Sequence, residues 1–185
     1  MNNAPNSPET AKAAPSLYNI VVAGLGGQGA LTATRILADA ALRAGFDVKK
    51  SEVKGMSQRG GSVTCDVRFG AHIHSPMTPV GEADFLLALE PTQLEPNRHL
   101  LRANGVTVDP SAVDADKLAN KKMLNVALLG VLSARLPIPE PVWMDAISAA
   151  FDPAYFEANR TAFLLGRGPR LSAFEIAARP SEPQS

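Results

Sequence analysis

Two glycine-rich segments contain the residues whose types and spacing suit chemistry. The first has Gly24, Gly26 and Gly29 in the spacing G-x-G-x-x-G, with Gly27 and Gln28 between them. It follows a short apolar run and precedes a helical pattern, so its glycines would permit a tight turn, close approach of a bound group and close helix packing. Unpaired N–H groups at the start of such a helix suit a phosphate or another anion. By itself the motif is common, because many α/β domains use these glycines only for packing.

The second segment combines glycines with polar side chains, a methionine and one arginine: Gly55, Met56, Ser57, Gln58, Arg59, Gly60 and Gly61. Its glycines allow positive φ angles or close approach of the backbone. The guanidinium of Arg59 can hold a phosphate or carboxylate through two hydrogen bonds. A solvent-facing loop does not need this composition, so we interpret the segment as a contact surface for a ligand or partner. The alternative is that Arg59 pairs with a local acid such as Glu52.

A dinucleotide-binding fold requires more than a glycine turn. An acid about 20 residues beyond the glycines, at the end of the second strand, should hold the ribose. Glu52 is the only acid near the end of that strand. Lys49 and Lys50 could favour a 2′-phosphate instead, or lie solvated on an edge strand. No Tyr-x-x-x-Lys pair follows either tyrosine of the chain. A free-standing NAD(P)-binding oxidoreductase domain that uses the glycines and Glu52 stays open as an alternative.

The cysteine and histidine residues do not favour a metal or redox site. Cys65 is the only cysteine in 185 residues, so these residues can form neither an intrachain disulfide nor a cysteine-ligated cluster. It lies in the alternating segment SVTCDVRFG, which predicts a strand and a small packed core residue. His72 and His74 would share one face of a strand, as metal ligands could. No acidic or cysteine partner is close in sequence, so we favour a solvated hairpin and predict no metal.

Composition restricts the possible partners and location. Lys plus Arg and Asp plus Glu each number 18, which gives zero formal net charge and argues against a nucleic-acid partner. An apolar content of 45% is ordinary for a globular domain. No apolar run approaches the roughly 20 residues that a membrane helix needs, and residues 1–16 lack the apolar core of a secretory signal. We therefore expect a cytoplasmic protein without membrane contacts.

The pattern of apolar residues predicts one α/β domain over residues 17–178, between disordered tails at 1–16 and 179–185. Strands of a parallel sheet are predicted at residues 20–23, 47–53, 84–89 and 105–109. Strands over 62–69 and 71–75 would form a hairpin inserted among them. Helical spacing predicts helices over 30–44, 91–102 (interrupted at Pro96), 125–135, 141–151 and 153–165. The predicted fold is Rossmann-like: a mostly parallel sheet with flanking helices, the inserted hairpin and a helical C-terminal part.

Several motifs, taken in order, closely resemble one family. They are GLGGQG at 24–29, EVKGMSQRGGSV at 52–63, VRFG at 67–70, SP at 75–76 and GEADFLLALEP at 81–91. Together they resemble the gamma-type domain of the thiamine-diphosphate-dependent 2-oxoacid:acceptor oxidoreductases. The beta subunits of the indolepyruvate ferredoxin oxidoreductases are the members most similar in length and layout. The resemblance extends from about residue 20 to residue 136.

The resemblance implies a cofactor-free subunit of a complex that oxidatively decarboxylates an aryl 2-oxo acid, such as indolepyruvate, to its acyl-CoA. Thiamine diphosphate, Mg²⁺ and iron–sulfur clusters would lie in a larger partner subunit. Coenzyme A would be the co-substrate, and ferredoxin or NAD would accept electrons through the complex. Residues 55–61 are then the first candidate interface, with Arg59 near a phosphate, and residues 24–29 are the second. No catalytic residue is implied in this chain, and a scaffold subunit without any ligand is a further hypothesis.

Overall fold

The computed structural model of the protein describes residues 17–54 and 60–168. The predicted tail at residues 1–16 lies outside this range, as do residues 55–59 and the end of the predicted domain at residue 178. These boundaries therefore stay predictions.

The domain is built on a five-stranded sheet with the strand order β2-β3-β1-β4-β5. The strands are β1 (Tyr18–Leu25), β2 (Asp47–Lys54), β3 (Ser62–Gly70), β4 (Ala83–Ala88) and β5 (Leu101–Val108). Strand β4 is parallel to both β1 and β5, whereas β3 is antiparallel to both β1 and β2. As a result β2 runs in the same direction as β1, although β3 lies between them. The predicted α/β class with a mostly parallel sheet is confirmed.

The antiparallel hairpin is formed by different strands from those predicted. It consists of β2 and β3, and the predicted strand over residues 71–75 is wrong. Strand β3 pairs with β1 on one side and with β2 on the other, so no position beside it is left for another strand. Residues 71–75 instead form an irregular segment beside the start of β2, where the Ile73 N–H donates to the Asp47 carboxylate at 2.8 Å.

Four long helices agree with the prediction: α1 (Ala30–Arg43), α3 (Leu124–Ser133), α4 (Glu140–Ala150) and α5 (Phe156–Arg167). The segment before β5, which contains the short helix α2 (Leu94–Asn97), does not agree with it. The predicted helix over residues 91–102 is reduced to the four-residue α2 between two 3₁₀ turns, Pro91–Gln93 and Arg98–Leu100. Pro96 has no backbone N–H to donate, which limits helix growth here. Strand β5 accordingly starts at Leu101, four residues earlier than predicted.

The helices pack mainly against one face of the sheet. Alternate residues of β1, among them Ile20 and Val22, join buried residues of α1, α3, α4 and α5 in the main core. The other face of β1, with Val21 and Ala23, is covered by a smaller apolar cluster near residues 94–101. Strands β1, β4 and β5 all end on one side of the domain, which we call the carboxyl end of the sheet; the opposite side is the amino end. In α/β domains ligands bind at the carboxyl end.

Candidate functional site

The first predicted segment forms the turn from β1 into α1 at the carboxyl end. Gly27 has φ +96° and Gly29 has φ +83°, a left-handed conformation that favours glycine. A Cβ on Gly29 would collide with the side-chain amide of Asn125 in α3. A Cβ on Gly24 would lie 3.3 Å from Leu89. The glycines therefore allow the turn to lie close to its neighbours. The third glycine, Gly29, lets the turn pack against helix α3, whereas the sequence predicted that it would let a helix pack against a strand.

The second predicted segment returns to the same end of the sheet. Gly60 has φ +73°, and the Gly61 carbonyl accepts a hydrogen bond from the Gly26 N–H at 2.9 Å. The structure therefore brings the end of the second segment against the first. The predicted contacts of the other members lie outside the described residues, namely Gly55, Met56, Ser57, Gln58 and Arg59.

Gln28 has a role within the chain that the sequence did not reveal. Its Oε1 accepts from the Leu25 N–H at 2.8 Å, which closes the glycine turn. Its Nε2 donates to the Glu90 carboxylate at 2.9 Å and thereby connects the turn to the residues after β4. Both ends of the amide are thus used to fix the turn, and a contact of Gln28 with a ligand or partner stays a prediction.

A cavity of about 560 Å³ opens beside the glycine turn, within the range of about 300–1,000 Å³ typical of small-molecule sites. Its walls include the turn at Gly27 and Gly29, the first turn of α1 at Thr32, and residues that precede or begin α3. Leu89 and Phe151 add apolar surface. The cavity can therefore contact both a polar and an apolar part of one ligand.

The electrostatics of the cavity favour an anion. Lys121 and Lys122 line it, and none of the described residues that line it is an Asp or Glu. Helix α1 begins at the cavity, and it has no acidic residue in its first turn and no side-chain cap. Helix N-termini carry a partial positive charge and unpaired N–H groups. The start of α1 and two ammonium groups together fit a phosphate.

Two buried asparagines line the cavity, and the sequence analysis did not identify them. Asn125 donates from Nδ2 to the Gly29 carbonyl at 3.3 Å and accepts the Val126 N–H at Oδ1. Asn159 is 4% exposed, and its Nδ2 donates to the Tyr155 carbonyl at 2.9 Å. The sequence did contain one signal for the first of these residues, since Asn125 is a polar residue directly before the apolar run VALLGVL. Asn125 thus anchors α3 to the glycine turn.

Glu52 does not lie where a ribose-binding acid should. It is on β2, which β3 separates from β1, so the two strands are about 10 Å apart at the usual strand spacing. Its carboxylate accepts from the Lys50 ammonium at 3.1 Å. In a dinucleotide-binding fold the second strand lies directly beside the first. The sheet order therefore does not support a dinucleotide site that uses Glu52.

Cys65 is a buried core residue on β3, as the sequence predicted. Burial raises the pKa of its thiol, which favours the protonated, unreactive form. His72 and His74 are exposed and lie outside any strand, so their predicted common strand face does not exist. Among residues 17–54 and 60–168, no group of three His, Cys, Asp or Glu side chains could hold a metal ion. None of the described helices is long and apolar enough to cross a membrane.

Comparison with known proteins adds a family match to this geometry. Residues 19–168 match the family described as pyruvate ferredoxin/flavodoxin oxidoreductase. The indolepyruvate oxidoreductase subunit IorB of Thermococcus kodakarensis is 36% identical, and the match covers 80% of this chain and 94% of that protein.

Solved structures share the fold. A pyruvate oxidoreductase subunit from Thermotoga maritima superposes with a TM-score of 0.68 at 23% identity, over 81% of this chain and 94% of the other. The 2-oxoglutarate:ferredoxin oxidoreductase of Magnetococcus marinus, solved with 2-oxoglutarate, coenzyme A and succinyl-CoA, gives 0.68 at 20% identity, over 82% of this chain and 30% of the other. At these identities the similarity establishes the fold.

Proposed function

Because this chain belongs to the pyruvate ferredoxin/flavodoxin oxidoreductase family, we propose that it is a subunit of a 2-oxoacid:ferredoxin oxidoreductase complex. The complex would oxidatively decarboxylate indolepyruvate or a related aryl 2-oxo acid to its acyl-CoA. The similarity to an indolepyruvate oxidoreductase subunit supports this substrate. The position of β3 between β1 and β2, together with this family membership, gives no support to the free-standing NAD(P)-binding alternative.

The described residues of this chain do not fit the redox cofactors that such a reaction needs. The only cysteine, Cys65, is buried in the core, and no metal-binding group of side chains is present in the described ranges. We therefore assign thiamine diphosphate, Mg²⁺ and the iron–sulfur clusters to a larger partner subunit, with ferredoxin as the acceptor. This chain would complete the partner's active site and have no activity alone.

The observation that carries the proposal is the hydrogen bond from Gly26 to Gly61 beside the cationic cavity. It brings the end of the second segment against the first at one end of the sheet, which supports a site there where a partner and a phosphate-bearing co-substrate could meet. Coenzyme A carries phosphates on one part of the molecule and reacts at a distant thiol. We propose that Lys121, Lys122 and the start of α1 hold those phosphates, with Arg59 as a further contact.

In this role the chain contributes binding and orientation rather than bond making. Interactions with the phosphates are remote from the reacting thiol, and such remote binding energy can hold the reacting group in place. Leu89 and Phe151 would contact the less polar part of the ligand. The chain itself would neither donate nor accept the electrons of the reaction.

The test is reconstitution of the complex with a Lys121→Ala/Lys122→Ala double variant. Lys117→Ala is the matched control, because Lys117 is exposed, pairs with Asp114 at 3.1 Å and does not line the cavity. Loss of two phosphate contacts should raise the KM for coenzyme A about tenfold, equivalent to about 1.4 kcal/mol. The KM for the 2-oxo acid should not change. Equal coenzyme A dependence of the double variant and the control would contradict the proposed binding site.

Arg59→Ala separates this proposal from the scaffold hypothesis. If residues 55–61 contact the co-substrate, the variant complex should assemble normally but use coenzyme A less well. The measurement is the coenzyme A dependence of acceptor reduction at equal complex concentration, checked by size-exclusion chromatography. Unchanged kinetics in an intact complex would favour a scaffold role for this segment.

Titration of the isolated chain with NADH and NADPH tests the dehydrogenase alternative. The proposal expects no saturable binding at micromolar concentrations, because Glu52 is remote from the glycine turn. Tight binding with one nucleotide per chain, followed by calorimetry or nucleotide fluorescence, would instead favour the free-standing NAD(P)-binding domain.

A further inference from the structure

Three chain segments at the carboxyl end are joined in a closed ring by hydrogen bonds. The segments are the glycine turn, the start of β3 and residues 89–97, which follow β4. We call the three bonds between them the support ring. They run from Gly26 N to Gly61 O (2.9 Å), from Ser62 Oγ to Gln93 Oε1 (2.6 Å) and from Gln28 Nε2 to Glu90 Oε2 (2.9 Å).

Residues 89–97 are themselves firmly held. The Leu89 N–H donates to the Ala23 carbonyl at 2.8 Å and thus extends the pairing of β4 with β1. The Asn97 amide donates to the Gln93 carbonyl at 2.8 Å, and both side chains are buried. This segment is therefore a rigid support, whereas the two segments that it holds are rich in glycine.

Such a support is needed because glycine-rich turns lose much conformational freedom when they become ordered. Fixing one backbone residue costs about 1–2 kcal/mol, and the cost is highest for glycine. A binding site that must order its own loops loses affinity by that amount, and a preorganised site does not. Neither Glu90 nor Gln93 lines the cavity, so any effect of theirs on a ligand must act through Gln28 and Ser62.

We propose that Glu90 and Gln93 are positioning residues that hold the glycine turn and the start of β3 as one preorganised unit for the coenzyme A and partner site. This inference rests on the proposed function for the identity of the ligand. It adds that Glu90 and Gln93 control affinity without touching the co-substrate. Because the bonds close a ring, opening any one of them removes the closure and loosens the glycine turn and the start of β3, although two bonds still link the three segments. Closure can be lost only once, so opening a second bond should add little to this loosening.

The kinetic test uses Ser62→Ala, Glu90→Ala and the double variant in the reconstituted complex. Ser62→Thr and Glu90→Gln should restore wild-type kinetics, because each keeps an atom that can make the ring bond. Glu95→Ala is the matched control, since Glu95 lies on the same segment in an exposed pair with Arg98.

Each single alanine variant should raise the KM for coenzyme A about fivefold, the effect of one hydrogen bond of about 1 kcal/mol. The value of kcat should remain within about twofold, and the double variant should resemble the single ones. A double variant whose KM rises by the product of the two single effects would overturn the ring. So would an unchanged KM combined with a lower melting temperature, which is the result of a purely structural role.

Amide hydrogen exchange on the full-length chain tests the ring independently of activity. Glu90→Ala should accelerate exchange at the start of β3, and Ser62→Ala should accelerate it at Gln28, whose N–H is bonded to the Leu25 carbonyl. Exchange changes confined to the neighbours of each substitution would overturn the ring. If the complex does not use coenzyme A while these distant changes occur, the proposed function fails and the ring stands.

Discussion

The two ends of the sheet are built with different chemistry. At the amino end, the buried carboxylate of Asp84 is only 4% exposed and is satisfied by partners within the chain. At the carboxyl end, the backbone is fixed by glycines, by side-chain amides and by the Glu90 carboxylate, and no described acidic residue pairs with Lys121 or Lys122. The amino end therefore pairs its cations within the fold, and the carboxyl end leaves these two lysines available for a ligand.

Asp84 and Arg68 show how charges are used at the amino end. Asp84 accepts the Asn19 N–H at 2.8 Å and pairs with Arg102 at 3.1 Å. Arg68 donates to the Asn19 side chain and to the Ser75 and Met77 carbonyls, which fastens the loop before β4. Buried charges must be paired in this way, because an uncompensated one is strongly destabilising. Substitution of a paired charge here should reduce stability, whereas substitution of the two cavity lysines at the carboxyl end should mainly reduce function.

The largest expected effect is that of Asp84→Ala at the amino end. The substitution leaves Arg102 without its carboxylate and the Asn19 N–H without an acceptor, so the free energy of unfolding should fall by about 3 kcal/mol. Urea denaturation measures it. Asp114→Asn, which removes the charge of an exposed ion pair with Lys117 but keeps an oxygen that can accept from the Asp116 N–H, should change stability far less. Equal stability of the two variants would remove the distinction between the ends.

The next effect separates two glycines of the carboxyl end. Both Gly27 and Gly29 have positive φ, but a Cβ on Gly27 meets no atom within 4 Å, whereas one on Gly29 collides with Asn125. Gly27→Ala should therefore cost only the conformational strain of about 1 kcal/mol. Gly29→Ala should cost about 2–3 kcal/mol, because crowding is added to that strain. Thermal unfolding of the pair measures the difference, and equal losses would show that Asn125 moves aside freely.

A smaller effect concerns Asp47 and the pH dependence of stability. The hydrogen bond from the Ile73 N–H lowers the pKa of the Asp47 carboxyl below its ordinary value. Because the folded pKa lies below the unfolded value of about 3.9, this stabilisation is present above that pH and is lost as the pH falls through the folded pKa. The Asp47→Asn variant should thus be slightly less stable than the wild type at pH 7, and this difference in the free energy of unfolding should disappear in acid. A gap that widens below pH 4 would contradict this assignment.

The smallest effect on stability is expected at the two lysines of the cavity. Since neither is buried or paired with a described acid, Lys121→Ala/Lys122→Ala should change the free energy of unfolding by less than about 0.5 kcal/mol. Urea denaturation of the isolated chain measures it. A loss above 1 kcal/mol would mean that these charges serve the fold, as those of the amino end do.

Local patterns were sufficient to predict much of the fold. The apolar run before the glycines predicted the centre of β1, which extends two residues further at each end, and the helical spacing after them predicted α1 to within one residue. The alternation around Cys65 gave β3 and the buried position of the thiol. Each of these features is set by neighbours in sequence, through burial of one face or through the special conformations of glycine.

Features that depend on distant pairing could not be predicted. Nothing near β3 in sequence specifies that it lies between β1 and β2, yet that position removes the predicted strand at residues 71–75. It also moves Glu52 away from the glycine turn. The cavity likewise depends on Asn125, which meets Gly29 only after the chain has passed through four further strands. The two glycine-rich segments were identified from composition, but their contact was not.

The most direct test of the central claim is to measure 2-oxo-acid-dependent ferredoxin reduction by the partner subunit with and without this chain, over a range of coenzyme A concentrations. If the chain completes the partner's site, activity should require both proteins and should saturate with coenzyme A. The same preparation should respond to changes at Lys121 and Lys122 through the KM for coenzyme A alone. Full activity of the partner without this chain, at the same KM for coenzyme A, would contradict the account.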